Sequence, residues 1–235
     1  MAMSRLRSAA PWLALALLVL CGGELAALQS ERLLGVHRYE DLTAQVLVAI
    51  VAVRSLVELS LAAFGVYAIL QLPLASIGWR IPKTGALVAG AVIGVLSALL
   101  FPRVVQELHL HGTYALQYIL YVLSQATGPT AVAAILVLLL LGPIVEEVVF
   151  RGIILEGLLR TTSSLIAVIA SAAIFAGMHA VGGAGQMSAA FLCGLVQGWL
   201  YWRTRSILPG AVTHVVYDTI VFYPVVFLML HHKHA

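Results

Sequence analysis

Seven or eight stretches of roughly twenty apolar residues, separated by short polar turns, set the first constraint on this chain. The hydrocarbon core of a bilayer is about 30 Å thick and takes ~20 helical residues to cross. No water is available there to satisfy backbone N–H and C=O groups, so the segments must bond internally as helices. Of the 235 residues 62% are hydrophobic and only 10% charged, with mean hydropathy +1.03. A soluble domain carries about 25% charged residues. The expected fold class is therefore all-α: a polytopic transmembrane helix bundle of seven or eight helices, forming one integral membrane domain over residues 1–235. The net charge of +3 and pI near 9 need no nucleic acid, because loop arginines at the bilayer surface account for them. Cys21 and Cys193 lie in apolar spans, which argues against a disulfide framework. No Gly-rich phosphate loop, zinc-type Cys cluster or extramembrane domain is visible.

Arg5 and Arg7 precede an apolar run at residues 9–28, read as an uncleaved first span with a cleaved signal peptide as the alternative. Residues 42–72 form a long second span in which Arg54 and Glu58, four apart, read as a buried pair locking helices together. Arg80, Pro82 and Lys83 mark the next loop. The third span, residues 84–101, repeats Ala86, Gly90, Gly94 and Ala98, a face suited to close helix packing. A polar loop is expected at residues 102–112; its Glu107, His109 and His111 have metal-like spacing but no second cluster. Residues 114–126 are aromatic and amphipathic, a short span or an interfacial segment. Spans follow at residues 130–160, 163–180, 187–202 and 206–230. Trp199, Tyr201 and Trp202 beside Arg203 and Arg205 suggest an interfacial belt, and residues 231–234 a solvated tail.

Within the span at 130–160 lies Leu141-Gly-Pro-Ile-Val-Glu146-Glu147-Val-Val-Phe-Arg151-Gly152. Each charged side chain at mid-membrane costs roughly 2.5–3.5 kcal/mol on insertion scales. Glu147 and Arg151 are four apart with the glutamate first, the favourable order for an ion pair. Glu146 points about 100° away, which leaves it free for chemistry. The other strong intramembrane polar residues are His179, His214 and Asp218. His214 and Asp218 share a helix face, as do Phe175 and His179. Counting from the turns near Arg160 and Ser206 puts Glu146 ~21 Å, His179 ~22 Å, His214 ~12 Å and Asp218 ~18 Å deep. Polar residues from three helices would thus meet in one slab.

These segments resemble the CPBP family of intramembrane proteases, which includes type II CAAX prenyl endopeptidases and bacteriocin-processing or self-immunity proteins. The family pattern of Glu-Glu-x-x-x-Arg, Phe-x-x-x-His and His-x-x-x-Asn/Asp appears as Glu146–Arg151, Phe175–His179 and His214–Asp218. Phe150-Arg151-Gly152 and Leu208-Pro209-Gly210 also follow family usage. The resemblance covers residues 130–222, the catalytic core it implies; residues 1–125 match only in being spans. It implies an endopeptidase in which Glu146 activates water with help from His179, while His214 and Asp218 stabilise the oxyanion. Glu147 and Arg151 would give structural support. Better-characterised members carry Asn where this chain has Asp218, and an ionised Asp cannot donate to an oxyanion. Asp218 is then either protonated or an orienting partner of His214. The expected cofactor is none; if zinc were used, Glu146, His179 and His214 would be its ligands.

Two other readings stay open: a non-catalytic immunity or scaffold relative that binds a peptide in the same pocket, and a small proton or cation transporter. The expected partner is a membrane protein or lipid-anchored peptide substrate, in a bacterial or archaeal plasma membrane. With Arg5 and Arg7 inside and residues 114–126 not spanning, seven spans put Arg80, Lys83, Arg160, Arg203 and Arg205 on the cytoplasmic side. Arg32, Arg38, Arg103 and Lys233 then face outward. The polar slab falls in the outer half, which suits processing of C-terminal sorting signals better than of a cytosolic prenylated tail.

Overall fold

The structure, a computed structural model, describes residues 10–231; Arg5, Arg7 and residues 232–234 of the tail lie outside the described residues. Among the described residues every regular element is helical. In chain order these are α1 (Ala10–Leu33), α2 (Ala44–Ile69), α3 (Thr84–Glu107), α4 (Tyr114–Ser124), α5 (Gly128–Leu159), α6 (Ser164–Met178), α7 (Gly183–Thr204), α8 (Leu208–Val221) and α9 (Tyr223–His231). The chain is a polytopic helical membrane protein.

Helices α1, α2, α3 and α5 are each long and apolar enough to cross a membrane, and counting each of two bent pairs as one span would give up to six. One pair is α6 with α7, bent by 59°; the other is α8 with α9, bent by 62°. The sequence reading counts residues 163–180 and 187–202 as two crossings. Helix α6, however, has 15 residues and reaches only ~22 Å at 1.5 Å per residue, less than the ~30 Å core. Helix α4 is short, with 11 residues, and does not cross unaided.

Close packing follows the small residues. A Cβ at Gly90 would lie 2.5 Å from the Pro209 carbonyl oxygen, and one at Gly94 2.8 Å from that of Thr213. The expected small face of α3 is thus where α8 docks, and the two run parallel because both indices rise together. Thr213 Oγ1 donates to the Gly90 carbonyl at 2.9 Å across this interface. Gly194 of α7 meets Ala172 of α6 and Gly198 meets Val168, so this pair forms an antiparallel hairpin. Helix α5 is tied to α6 by Ser171 Oγ, which donates to the Phe150 carbonyl at 3.0 Å.

The two ends of the bundle differ in chemistry. At one end Glu156 binds Arg160 at 3.0 Å, Arg205 at 3.2 Å and the Tyr201 hydroxyl at 3.0 Å. Arg160 also lies over the Trp12 ring at 4.5 Å, and Ser206 donates to the Arg80 carbonyl at 2.7 Å. At the other end Thr113 Oγ1 donates to the Val181 carbonyl at 2.5 Å, and the Gly185 N–H to that of His111 at 3.2 Å.

Two sequence expectations are corrected. Tyr201 is not part of an interfacial belt: it is buried, 1% exposed, because its hydroxyl is drawn to Glu156. Residues 102–107 are not loop: α3 continues through Pro102 to Glu107, since a membrane helix tolerates the one bond a proline removes. The Arg54–Glu58 pair forms at 3.0 Å, but Arg54 also reaches Glu24 of α1 at 2.9 Å. That bridge links α1 to α2 alongside their close packing at Gly22, Gly23 and Gly65.

Candidate functional site

Helix α5 does not run as a plain α-helix through its charged segment. A wide π-helical stretch at Val137–Leu141 precedes Gly142–Glu147, and a second at Val148–Leu155 follows it. Pro143 has no N–H to give to the carbonyl four residues back, which favours the wider first turn. Such π insertions often mark functional sites. Despite the altered winding, Arg151 Nη1 meets Glu147 Oε1 at 3.0 Å, with the two side chains 1% and 0% exposed.

Neighbouring helices also engage the Arg151 guanidinium. Its Nη2 donates to Oε1 of Gln197, a fully buried residue of α7. Its guanidinium carbon lies 4.6 Å from the centre of the Phe175 ring of α6. Gly210 of α8 makes room for Glu147, since a Cβ there would collide with the Glu147 carboxylate. This is a physical reason for glycine in Leu208-Pro209-Gly210.

His214 is the hub of the cluster. Its Nδ1 faces Glu147 Oε1 at 3.7 Å, and its Nε2 faces Glu146 Oε2 and Asp218 Oδ2, each at 3.6 Å. The separations exceed hydrogen-bond length, leaving room for small shifts or for a reacting group. Glu146 is half-buried, its side chain 35% exposed, whereas Glu147 is sealed. The two adjacent carboxylates therefore occupy different environments, one neutralised and one open.

His179 enters by another route. Its Nδ1–H donates to the Phe175 carbonyl at 2.9 Å, which leaves Nε2 as the free lone pair of the neutral ring. The Phe175 ring stands edge-on to His179 at 4.6 Å and to His214 at 5.8 Å, and packs on Phe150 at 4.9 Å. Phe175 is thus an aromatic post between the two imidazoles. His179 also lies within electrostatic reach of Asp218. So Glu146, Glu147, Arg151, His214 and Asp218 come together directly, and His179 joins them through Phe175.

Among the described residues no three His, Cys, Asp or Glu side chains are grouped so that they could hold a metal ion. Neither Glu146, His179 and His214 nor Glu107, His109 and His111 form such a group. Gln197 escapes a reading of the sequence because it is one neutral polar residue in an apolar helix with no partner four residues away. Glu24 escapes for the same reason, its partner being on another helix.

Comparison with known proteins bears on the same segment. Residues 128–220 match the family model described as type II CAAX prenyl endopeptidase Rce1-like. The chain matches no curated protein and no solved structure. The matched stretch runs from the start of α5 to the last turn of α8 and holds all three motifs. It is through this stretch that the chain, an integral membrane protein, is similar to the type II CAAX prenyl endopeptidase Rce1-like family.

Proposed function

We propose that the chain is an intramembrane endopeptidase that hydrolyses a peptide bond in a membrane-associated protein, with Glu146 as the base that activates water. One observation carries this reading. Glu146 and the His214–Asp218 pair, from helices remote in sequence, lie within 3.6 Å of one another inside an apolar bundle. Glu146 is half-buried, open enough to admit a water and placed to accept its proton. The water loses its proton to Glu146 and attacks the carbonyl carbon. His179, with Nε2 free, assists that proton transfer and carries the proton toward the leaving amine. His214 stabilises the oxyanion; removing one such donor typically costs about 3–4 kcal/mol of barrier lowering. The 3.6 Å approach of Asp218 to His214 Nε2 supports an orienting role for this aspartate.

The basic end of the bundle supports the substrate class. Arg80, Arg160 and Arg205 gather there with the start of α1, which fits the cytoplasmic face of a bacterial or archaeal plasma membrane. Glu146 lies fourteen residues, ~21 Å, from Arg160, past the middle of a ~30 Å core. We assign the site to the outer half, where exported proteins present C-terminal sorting signals.

The test needs no prior substrate. Membrane proteomes of cells carrying the wild-type chain or Glu146→Ala are compared for protein termini. A set of termini present with the wild type and lost in the variant supports the reading; identical sets refute it.

A further inference from the structure

Helix α7 carries none of the three motifs, yet it places one fully buried polar side chain against them. Gln197 is 0% exposed, and the other buried residues on its helix include Ala190, Cys193, Gly194 and Gly198. Its Oε1 accepts from Arg151 Nη2. From there a continuous line of polar groups leads to the proposed base: Arg151 Nη1 to Glu147 at 3.0 Å, Glu147 to His214 Nδ1 at 3.7 Å, and His214 Nε2 to Glu146 at 3.6 Å.

We propose that Gln197 is a positioning residue that fixes His214 by holding the Arg151 fork open. The geometry gives the reason. A guanidinium has two outward nitrogens, and a lone carboxylate opposite it takes both in a bidentate grip. Here Nη2 is occupied by the Gln197 amide, so Glu147 receives Nη1 alone and keeps capacity to accept from His214. The Phe175 ring at 4.6 Å fixes the plane in which the fork can turn. With Gln197 gone, Arg151 rotates within that plane and captures Glu147 with both nitrogens. Glu147 then swings off His214, whose Nδ1 loses the carboxylate it faces at 3.7 Å.

This inference rests on the proposed function for its consequence in catalysis, so its test has an arm that does not depend on cleavage. The protein is prepared with nitrogen-15 histidine in lipid nanodiscs, and the His214 ring signals are identified by their loss in His214→Gln. In Gln197→Met, of nearly the same volume, those signals should move away from their wild-type positions, and their change with pH should shift. Gln197→Asn serves if the methionine variant does not accumulate. Gln197→Glu keeps an acceptor for Arg151 and should leave the His214 signals closer to wild type than methionine does. Where a substrate has been found, Gln197→Met should lower kcat roughly 10–100-fold, the usual range for removing an outer partner, with KM little changed. Unmoved His214 signals in a folded Gln197→Met protein would overturn the assignment. So would a Gln197→Glu protein displaced as far as Gln197→Met. Absence of any cleavage with His214 displaced as expected would instead count against the protease reading alone.

Discussion

Arg151→Met separates a buried ion pair that sustains the site from one that merely occupies it. The pair is 3.0 Å long with side chains 1% and 0% exposed. Removing the guanidinium leaves the Glu147 carboxylate sealed in a low-dielectric core, with His214 Nδ1 at 3.7 Å as the nearest polar group on that side. Breaking a buried pair from one end costs about 3–5 kcal/mol, most of it the stranded charge rather than the lost attraction. The Gln197 bond and the Phe175 contact disappear as well, but they share the same guanidinium and are not added. The double variant Glu147→Leu with Arg151→Met strands no charge, and such replacements are often neutral or stabilising by ~1–4 kcal/mol. The expected order of stability is therefore double variant at or above wild type, and both well above Arg151→Met. Unfolding of the purified protein in mixed micelles, followed by helical circular dichroism against rising SDS, gives the three free energies. A cost for Arg151→Met below about 1 kcal/mol, or a double variant no more stable than the single one, would refute the reasoning.

Further outcomes follow from the same geometry. Glu146→Gln should abolish cleavage and leave the unfolding midpoint near wild type, because Glu146 is half-buried and its approach to His214 is 3.6 Å, beyond hydrogen-bond length; a large loss of stability would show it to be structural. Gly210→Ala, which drives a Cβ into the Glu147 carboxylate, should destabilise by about 1–3 kcal/mol as overpacking does, read in the same micelle titration. Thr213→Val removes the 2.9 Å bond to the Gly90 carbonyl and should cost only about 0.6 kcal/mol, the usual worth of an interhelical hydrogen bond in a membrane. In the loop before α2, the Asp41 carboxylate accepts from the His37 and Arg38 backbone N–H groups at 2.9 and 2.8 Å, and these bonds hold its pKa below the usual aspartate value. The turn should therefore be intact above the ordinary aspartate range and loosen only as pH falls through the lowered value. Carbon-detected NMR titration of Asp41 checks this, and a midpoint at or above that of a free aspartate would contradict it.

Much of the site was legible because its parts repeat at helical spacing. Glu147 with Arg151, Phe175 with His179 and His214 with Asp218 are each four apart, and an apolar background makes any polar side chain conspicuous. The small residues of α3 announced a packing face in the same way. What escaped had its partner on another helix: Gln197 against Arg151, Glu24 against Arg54, Glu156 against Tyr201 and Arg205. A one-dimensional pattern holds no trace of such pairs. The π-helical turns around Glu146 also left no mark, since the pairing of Glu147 with Arg151 survives the change of winding.

By itself the sequence determined that the chain is a bundle of membrane helices and that a few ionisable groups are buried in it. Both follow from the cost of exposing backbone or charge to hydrocarbon, which acts on each segment separately. Which imidazole stands beside Glu146 was decided only by tertiary structure. The antiparallel α6–α7 hairpin and the parallel docking of α8 on α3 bring His214 between the two glutamates and hold His179 behind Phe175. Glycines at 90, 94 and 194 set how closely those helices approach, and distances of a few ångströms between helices are what separate a partner from a neighbour.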